Sequence, residues 1–145
     1  MNPAIRIGIV GAGEMGQRHA KLVVDSNIAV MAGFADPDPS VAHNPVFAKV
    51  RHYRDHLQLI KAETPDGIII AAPNAHHVPV AIDCLAAGIP VLLEKPVADS
   101  VESGRTLVAE QRKSGVTVLV GHHRRFDPVV DATRHLINGG NIGQL

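Results

Sequence analysis

Short apolar runs rich in valine and isoleucine alternate with helix-like segments along the chain, and this alternation limits the available folds more than any other feature. Six runs are predicted to be strands, at residues 5–10, 28–35, 50–53, 67–72, 90–94 and 117–121. Strands that alternate with helical segments are typical of a parallel sheet with crossover helices. We therefore predict a single α/β domain, residues 1–145. It would be a three-layer αβα structure, with a doubly wound parallel sheet between two layers of helices.

The segments between the predicted strands carry the start and stop signals of helices. Asp99, with Glu102 three residues later, resembles a capping box. Gly88 and Gly115 stand where the left-handed residue after a helix is expected. A last helix is predicted over 128–138, and the GGNIGQL that follows it is interpreted as a linker.

Composition and charge exclude several classes of function. Lys and Arg together number 14, as do Asp and Glu, so no net charge attracts nucleic acid or an anionic membrane. Aromatic residues make up only 3% of the chain, too few for the usual base-stacking platform. No run approaches the roughly 18 apolar residues of a membrane span. The single cysteine, Cys84, precludes an internal disulfide, so we expect a cytoplasmic protein. We expect the Cys84 side chain to be a small buried hydrophobe rather than a nucleophile.

The stretch GIVGAGEMGQRHA places three glycines directly after the first predicted strand and at the head of a helix. Gly11 permits a tight turn, Gly13 lets the backbone approach a pyrophosphate, and Gly16 lets the helix pack close to the sheet. The N-terminus of that helix also favours phosphate charge. This pattern is the dinucleotide-binding fingerprint of a Rossmann fold. The candidate cofactor contacts in the loop are Gly11, Ala12, Gly13, Glu14, Met15 and Gly16.

Asp36 ends the second predicted strand, twenty residues after Gly16. A carboxylate at this position accepts hydrogen bonds from both hydroxyls of the adenosine ribose and repels a 2′-phosphate. Pro37, rather than an arginine, follows it, so NAD is the predicted cofactor and NADP is disfavoured. Arg18 and Arg51 stay as alternative phosphate partners that the sequence does not place.

Polar residues follow the carboxyl ends of three further predicted strands. They are Pro73 and Asn74, Glu94 and Lys95, and His122 and His123. In a parallel sheet these ends share one edge, and ligands bind in the crevice outside that edge. We expect these side chains to converge on the nicotinamide half of the dinucleotide.

Some of these polar groups have competing interpretations. His76 and His77 either satisfy the start of the next helix or contact cofactor or substrate, and both interpretations stay open. Arg124 and Arg125 are either a solvated or ion-paired surface or part of the crevice. No cysteine or carboxylate pattern completes a ligand set with the histidines, so no metal site is predicted.

Five segments in order, GIVGAGEMG, ADPDP, APNAHH, AGIPVLLEKPVA and GHHRRFDP, resemble the cofactor domain of the Gfo/Idh/MocA family of dehydrogenases. The resemblance covers nearly the whole chain. It implies an NAD(P)-dependent oxidoreductase that transfers a hydride between nicotinamide and a hydroxyl or ketone of a sugar, polyol or related compound. NAD and such a small molecule are then the expected partners, with a homo-oligomer as a further expectation.

The resemblance also implies roles for single residues. Lys95 matches the lysine of the family's Glu-Lys-Pro motif, which is expected to contact the substrate hydroxyl and the nicotinamide ribose, so it is the candidate catalytic residue. A cis peptide bond before Pro96 is implied as well. Adjacent strand residues point to opposite faces, so we expect Glu94 and Lys95 to find separate partners. The remaining candidate cofactor contacts are Ala72, Pro73, Asn74, His77, Glu94, Lys95 and Arg125.

Members of this family continue into a second α/β domain that supplies the usual catalytic Asp and His and the substrate pocket. The last seven residues, GGNIGQL, resemble the linker to that domain. We therefore expect these residues alone to bind NAD with little or no turnover and to expose an apolar face. The alternative is a non-catalytic NAD-binding module that regulates or docks to a partner.

Overall fold

Six parallel strands form one sheet in the order β3-β2-β1-β4-β5-β6 within residues 3–141 and 143, the part of the chain that the computed structural model describes. The strands are β1 Ile5–Val10, β2 Ala29–Ala35, β3 His52–Tyr53, β4 Gly67–Ile70, β5 Val91–Leu93 and β6 Val118–Val120. The strand order reverses beside β1, where β2 lies on one side and β4 on the other. The predicted doubly wound α/β fold is confirmed.

Helices cover both faces of the sheet. In the described residues the α-helices are α1 Glu14–Val24, α2 His56–Glu63, α3 His77–Ala86, α4 Val101–Ser114 and α5 Pro128–Asn138. Residues of α1 share one apolar core with the sheet, and residues of α2, α3 and α4 share the other. Because successive side chains of a strand point to opposite faces, Ile69 of β4 enters the first core while Ile68 and Ile70 enter the second.

Three predicted strands end earlier in the structure than in the prediction. The runs 67–72, 90–94 and 117–121 leave the sheet after Ile70, Leu93 and Val120. Glu94 still donates its backbone N–H to Ile70, and Gly121 donates to Leu93, but the ladder goes no further. The polar residues after each strand therefore belong to loops above the sheet edge, which frees them to turn toward a crevice.

The helix boundaries follow the predicted signals with one correction. Gly88 and Gly115 have φ of +73° and +70° after their helices, as predicted. The capping box assigned to Asp99 and Glu102 is wrong by one residue. Ser100 is the N-cap of α4, and its hydroxyl accepts from the Ser103 N–H at 3.1 Å while the Ser103 hydroxyl accepts from the Ser100 N–H at 3.3 Å. A hydroxyl does this because it both donates and accepts hydrogen bonds.

The carboxyl-terminal part of the described chain is less covered than the rest. The bounds of α5 match the prediction, yet none of its described residues is buried. Large apolar side chains lie exposed on this helix, on β6 and between them: Leu119, Phe126, Val129, Val130, Leu136 and Ile137. Residues 142, 144 and 145 of the predicted linker lie outside the described residues. None of the described helices has the length and apolar character needed to cross a membrane.

Phe34 is the centre of the core beneath α1. Its side chain is 0% exposed, and its ring stacks on Phe47 with centroids 4.2 Å apart and on His52 with centroids 4.9 Å apart. Phe47 belongs to a 3₁₀ turn, Pro45–Phe47, in the connection between β2 and β3. This stack therefore fastens that long connection to the sheet.

The Phe34→Ala variant is expected to lower the free energy of unfolding by about 3–5 kcal/mol, because it removes buried area and leaves a cavity. Urea unfolding of the 145-residue chain measures the change. Leu22→Ala is the control, because Leu22 on α1 is 68% exposed, and its change is expected within about 0.5 kcal/mol. A loss below about 1 kcal/mol for Phe34→Ala would contradict the role of the stack.

Candidate cofactor site

The turn between β1 and α1 requires glycine at two positions. Gly11 has φ of +87°, and a Cβ on it would lie 2.5 Å from the backbone nitrogen of Ala72. A Cβ on Gly16 would lie 1.9 Å from the carbonyl oxygen of Gly11. A Cβ on Gly13 would meet no heavy atom within 4 Å. The first and last glycines thus let the turn close against α1, and the middle one leaves its outer side open for a phosphate.

The start of α1 has backbone donors for that phosphate. Gly13 is the N-cap and has no side chain to bond the first N–H groups of the helix. The helix dipole adds partial positive charge at the same place. The carboxylate of Glu14 does not lie at the phosphate position, because it pairs with Arg18 one turn along the exposed face of the helix. These features fit a dinucleotide pyrophosphate.

Asp36 lies beside the glycine turn and is held there by the backbone. Its Oδ2 accepts from the Ala12 N–H at 2.8 Å, and its Oδ1 accepts from the Asp38 N–H at 2.9 Å. An ionised carboxylate has about four acceptor positions, so two stay available for ribose hydroxyls. Asp36 lines a cavity of about 410 Å³, here named the Asp36 pocket. Its walls include Val10, Gly11, Pro37, Ala72, Pro73 and His76.

The two arginines that the sequence left unplaced do not line the Asp36 pocket. Arg18 pairs with Glu14, and Arg51 pairs with Glu63 at 3.7 Å. Arg54, which sequence reasoning missed, does line it. The available signal was its position directly after the short third strand, because residues that follow a parallel strand reach the crevice edge.

Glu94 is buried at the end of β5 and bonds to α1. It is 6% exposed, and its Oε1 accepts from His19 Nε2 at 2.9 Å. Its Oε2 accepts from the Lys95 N–H at 3.1 Å, so the carboxylate holds the backbone of the next residue. A Cβ on Gly121 would lie 3.2 Å from Oε1, which shows how closely β6 approaches. The separate partner expected for Glu94 is therefore His19.

The charge of Glu94 is stabilised in this buried position. Burial by itself raises the pKa of the carboxyl, but the hydrogen bonds from His19 and from the Lys95 N–H outweigh it, and the pKa lies below its ordinary value. Sequence reasoning missed His19, although it follows Gly16 by three residues and so lies on the same side of the helix. Its partner stands 75 residues away, where no local pattern points to it.

His77 ties the ends of two neighbouring strands together. It is 1% exposed, with Nδ1 at 2.7 Å from the carbonyl oxygen of Pro96 and Nε2 at 2.8 Å from that of Ala72. The contacts of His77 that the structure describes are with the protein backbone. A direct contact of His77 with the cofactor stays a prediction. The peptide bond between Lys95 and Pro96 is cis, as the resemblance implied.

Lys95 is exposed and lines a second cavity, here named the Lys95 pocket, of about 640 Å³. Its other walls are Gly121, His122, His123, Arg124, Arg125, Val130 and Arg134. Lysine, arginine and histidine side chains line this space, and none of the described residues that line it is a carboxylate. Lys95 and Arg125, two predicted site residues, therefore share a pocket.

The predicted site residues fall into four groups. Those lining the Asp36 pocket are Gly11, Asp36, Ala72 and Pro73. Those lining the Lys95 pocket are Lys95 and Arg125. Buried behind the pockets lie Ala12, Gly16, His77 and Glu94, and at the surface of the turns and the start of α1 lie Gly13, Glu14, Met15 and Asn74. The first two groups line the pockets and the third lies behind them, and the predicted cofactor contacts of all four groups stay predictions.

Cys84 has no part in either pocket. Its side chain is fully buried in the core beneath α3. Burial, with a smaller contribution from the negative charge of Asp83, raises the pKa of the thiol to about 12. It is a buried hydrophobe rather than a nucleophile, as predicted. Across the described residues no cluster of three or more metal-ligating side chains occurs.

Residues 5–122 match the family model described as the oxidoreductase family with an NAD-binding Rossmann fold, Gfo/Idh/MocA. The chain belongs to this family. Its cofactor is NAD, in agreement with the glycine turn and Asp36. The resemblance drawn from the five sequence segments is thereby confirmed.

Curated relatives extend the comparison. The chain is 34% identical over 140 residues to the rhizopine catabolism protein MocA of Rhizobium meliloti, covering 97% of this chain and 44% of that protein. It is also 34% identical over 151 residues to an inositol 2-dehydrogenase of Corynebacterium glutamicum, covering 100% and 44%. The chain thus spans less than half the length of these relatives.

Solved structures agree on the fold. The myo-inositol 2-dehydrogenase of Lactobacillus plantarum superposes with a TM-score of 0.88 at 24% identity, over 98% of this chain and 43% of that one. The WlbA dehydrogenase of Bordetella pertussis, in complex with NADH and UDP-GlcNAcA, gives 0.89 at 24% identity, over 99% and 42%. At this identity the likeness supports the arrangement of the sheet and helices only.

The Glu94→Gln variant is expected to lower the free energy of unfolding at pH 7 by about 1–3 kcal/mol, because the charge-assisted bonds with His19 and the Lys95 N–H are weakened. A carboxyl whose folded pKa is lowered stabilises the protein above its unfolded pKa. That contribution is lost as the pH falls through the folded pKa. The difference from the wild type should therefore shrink below about pH 4.5.

Urea unfolding at pH 7 and at a series of lower pH values measures the effect of the Glu94 substitution. Glu110→Gln is the control, because Glu110 pairs with Lys113 at 3.4 Å on the outer side of α4. It is expected to change stability little at any pH. The assignment of the Glu94 charge fails if the wild type and Glu94→Gln differ equally at all pH values.

Proposed function

We propose that this chain is the cofactor-binding part of an NAD-dependent dehydrogenase that acts on a hydroxyl or ketone of a sugar, polyol or related compound. One observation carries the proposal: the Asp36 pocket, whose walls follow the carboxyl ends of β2, β1 and β4, and the Lys95 pocket, whose walls follow β5 and β6, lie along the same sheet edge. The edge runs from β2 through β1 and β4 to β5, across the point where the strand order reverses. Dinucleotides bind across such a point.

Each part of the edge suits one part of the cofactor. Asp36 would hold the adenosine ribose, and the open side of Gly13 with the first turn of α1 would hold the pyrophosphate. Asn74, Lys95 and Arg125 would then surround the nicotinamide end, whereas Pro73, expected there from the sequence, lines the Asp36 pocket. When bound, NAD supplies the hydride acceptor, and NADH the hydride donor.

Lys95 is proposed as the residue of this chain that touches the reacting group. Its ammonium group would donate hydrogen bonds to the substrate hydroxyl and to the nicotinamide ribose, and its charge favours oxygen that becomes negative as a proton leaves. Glu94 accepts from the Lys95 N–H, and Nδ1 of His77 lies 2.7 Å from the Pro96 carbonyl oxygen, so side chains contact the backbone on both sides of Lys95. Such bracing reduces the cost of orienting the lysine.

Turnover is proposed to need groups outside these 145 residues. The walls of the Lys95 pocket that the structure describes carry amine, guanidinium and imidazole groups but no carboxylate. Among the residues that the structure describes, the rings of His122 and His123 have no hydrogen-bond partner that would assign either as the acid or base. The inositol 2-dehydrogenase and MocA relatives support a polyol as substrate. A cytoplasmic location and self-association through the exposed apolar side chains of α5 belong to the same proposal.

Calorimetric titration with NAD and NADP tests the cofactor assignment. The wild type should bind NAD more tightly than NADP, because the Asp36 carboxylate repels a 2′-phosphate. The Asp36→Ala variant should weaken NAD binding about tenfold or more, since a hydrogen bond to a charged group contributes about 1.5–3 kcal/mol. The same variant should weaken NADP binding less, so the ratio of NAD affinity to NADP affinity should fall.

Asp25→Ala is the control for the Asp36 titration. Asp25 pairs with Lys21 at the far end of α1 and lies outside the pocket, so both affinities should stay unchanged. Absence of NAD binding by the wild type, or tighter binding of NADP, would overturn the proposed function.

Titration with NAD and with AMP separates the Lys95 end of the site from the Asp36 end. Lys95→Ala should weaken NAD binding about three- to tenfold, through the lost contact with the nicotinamide ribose, and leave AMP binding unchanged. Lys113→Ala on α4 should change neither affinity. Equal weakening of AMP and NAD by Lys95→Ala would contradict this placement of the lysine.

A further inference from the structure

Arg54 is a cationic wall of the Asp36 pocket that the cofactor assignment above leaves unused. It is exposed and follows β3 directly. The register pairs Ala35 with Tyr53, so Asp36 and Arg54 are the next residues on two adjacent strand ends. Both line the same cavity. The pairing of β3 with β2 therefore brings a carboxylate and a guanidinium to the same pocket.

The carboxylates near Arg54 each have hydrogen-bond partners other than Arg54. Both oxygens of Asp36 accept backbone N–H groups, from Ala12 and Asp38. Asp55 caps α2 by accepting from the Gln58 N–H at 2.8 Å. Asp83 accepts from His56 Nε2 at 2.7 Å. Among the described residues, no ion pair involves the Arg54 guanidinium, so the pocket keeps a planar cation free for a ligand.

The shape and composition of the pocket indicate what that cation would contact. Val10, Ala35, Ala72, Pro79 and Val80 form apolar walls of the same cavity. A phosphate on the ribose is disfavoured by the neighbouring Asp36. A flat aromatic base attached to a ribose at Asp36 would bury one face against apolar side chains. Guanidinium planes stack well on such a face and carry the charge with little loss of hydration.

We propose that Arg54 is a specificity-determining residue for the adenosine end of the cofactor and that its guanidinium stacks on the adenine base while Asp36 holds the ribose. The inference rests on the proposed function, because it takes NAD to bind along this edge. It assigns Arg54 to base recognition rather than to a 2′-phosphate. It also gives a role to a residue that none of the five family-like segments contains.

Titration of the 145-residue chain with NAD and with AMP tests the stacking. Arg54→Ala should weaken the binding of NAD and of AMP by the same factor, about three- to tenfold, because both ligands carry the adenine base. Arg54→Lys keeps the charge without the plane and should weaken both nearly as much. Arg105→Ala, at an exposed arginine of α4, is the matched control and should change neither affinity.

The possible outcomes separate this inference from the proposed function. Wild-type affinity for AMP in Arg54→Ala overturns the role of Arg54 and leaves the NAD assignment standing. Full recovery in Arg54→Lys overturns stacking, because charge alone then accounts for the effect. A wild-type chain that binds neither ligand overturns both proposals. Parallel loss in both Arg54 variants, with unchanged Arg105→Ala, supports the inference.

Discussion

The contact between Gly16 and the carbonyl of Gly11 is the constraint on which the rest of the site depends. Only hydrogen at the Gly16 Cα lets α1 approach the turn so closely, since a Cβ would lie 1.9 Å from that oxygen. The approach points the first turn of α1 at the phosphate position. It also sets the distance between the next turn of the helix and the sheet, which brings His19 to Glu94.

Glu94 connects α1 to the loop that carries Lys95. One carboxylate oxygen of Glu94 accepts a hydrogen bond from His19 of α1, and the other accepts from the N–H of Lys95. Leaving a buried carboxylate without such partners would be costly, so the three groups are held as a unit. Helix α1 and the loop that carries Lys95 therefore share one buried carboxylate, Glu94. On the far side, His77 completes the bracing through Pro96.

Much of this arrangement was predictable because it depends on local patterns. The strands, the glycine turn, the position of Asp36 and the polar residues after each strand follow from periodicity and spacing within short segments. The capping box was misplaced by one residue because a serine pair competes with the Asp and Glu pattern nearby. Strand ends were too long because side-chain type does not show where a ladder of hydrogen bonds stops.

The sequence alone determined the class of fold, the cofactor and the residues at the carboxyl ends of the strands, because each is encoded in consecutive residues. Only the tertiary structure decided which of those residues meet. His19 lies 75 residues from Glu94, and Arg54 reaches Asp36 only through the pairing of β3 with β2. Contacts between distant segments depend on strand order and helix packing, and no local pattern records them. The tertiary structure likewise shows that Glu94 is buried and accepts from the Lys95 N–H, while its predicted cofactor contact stays a prediction.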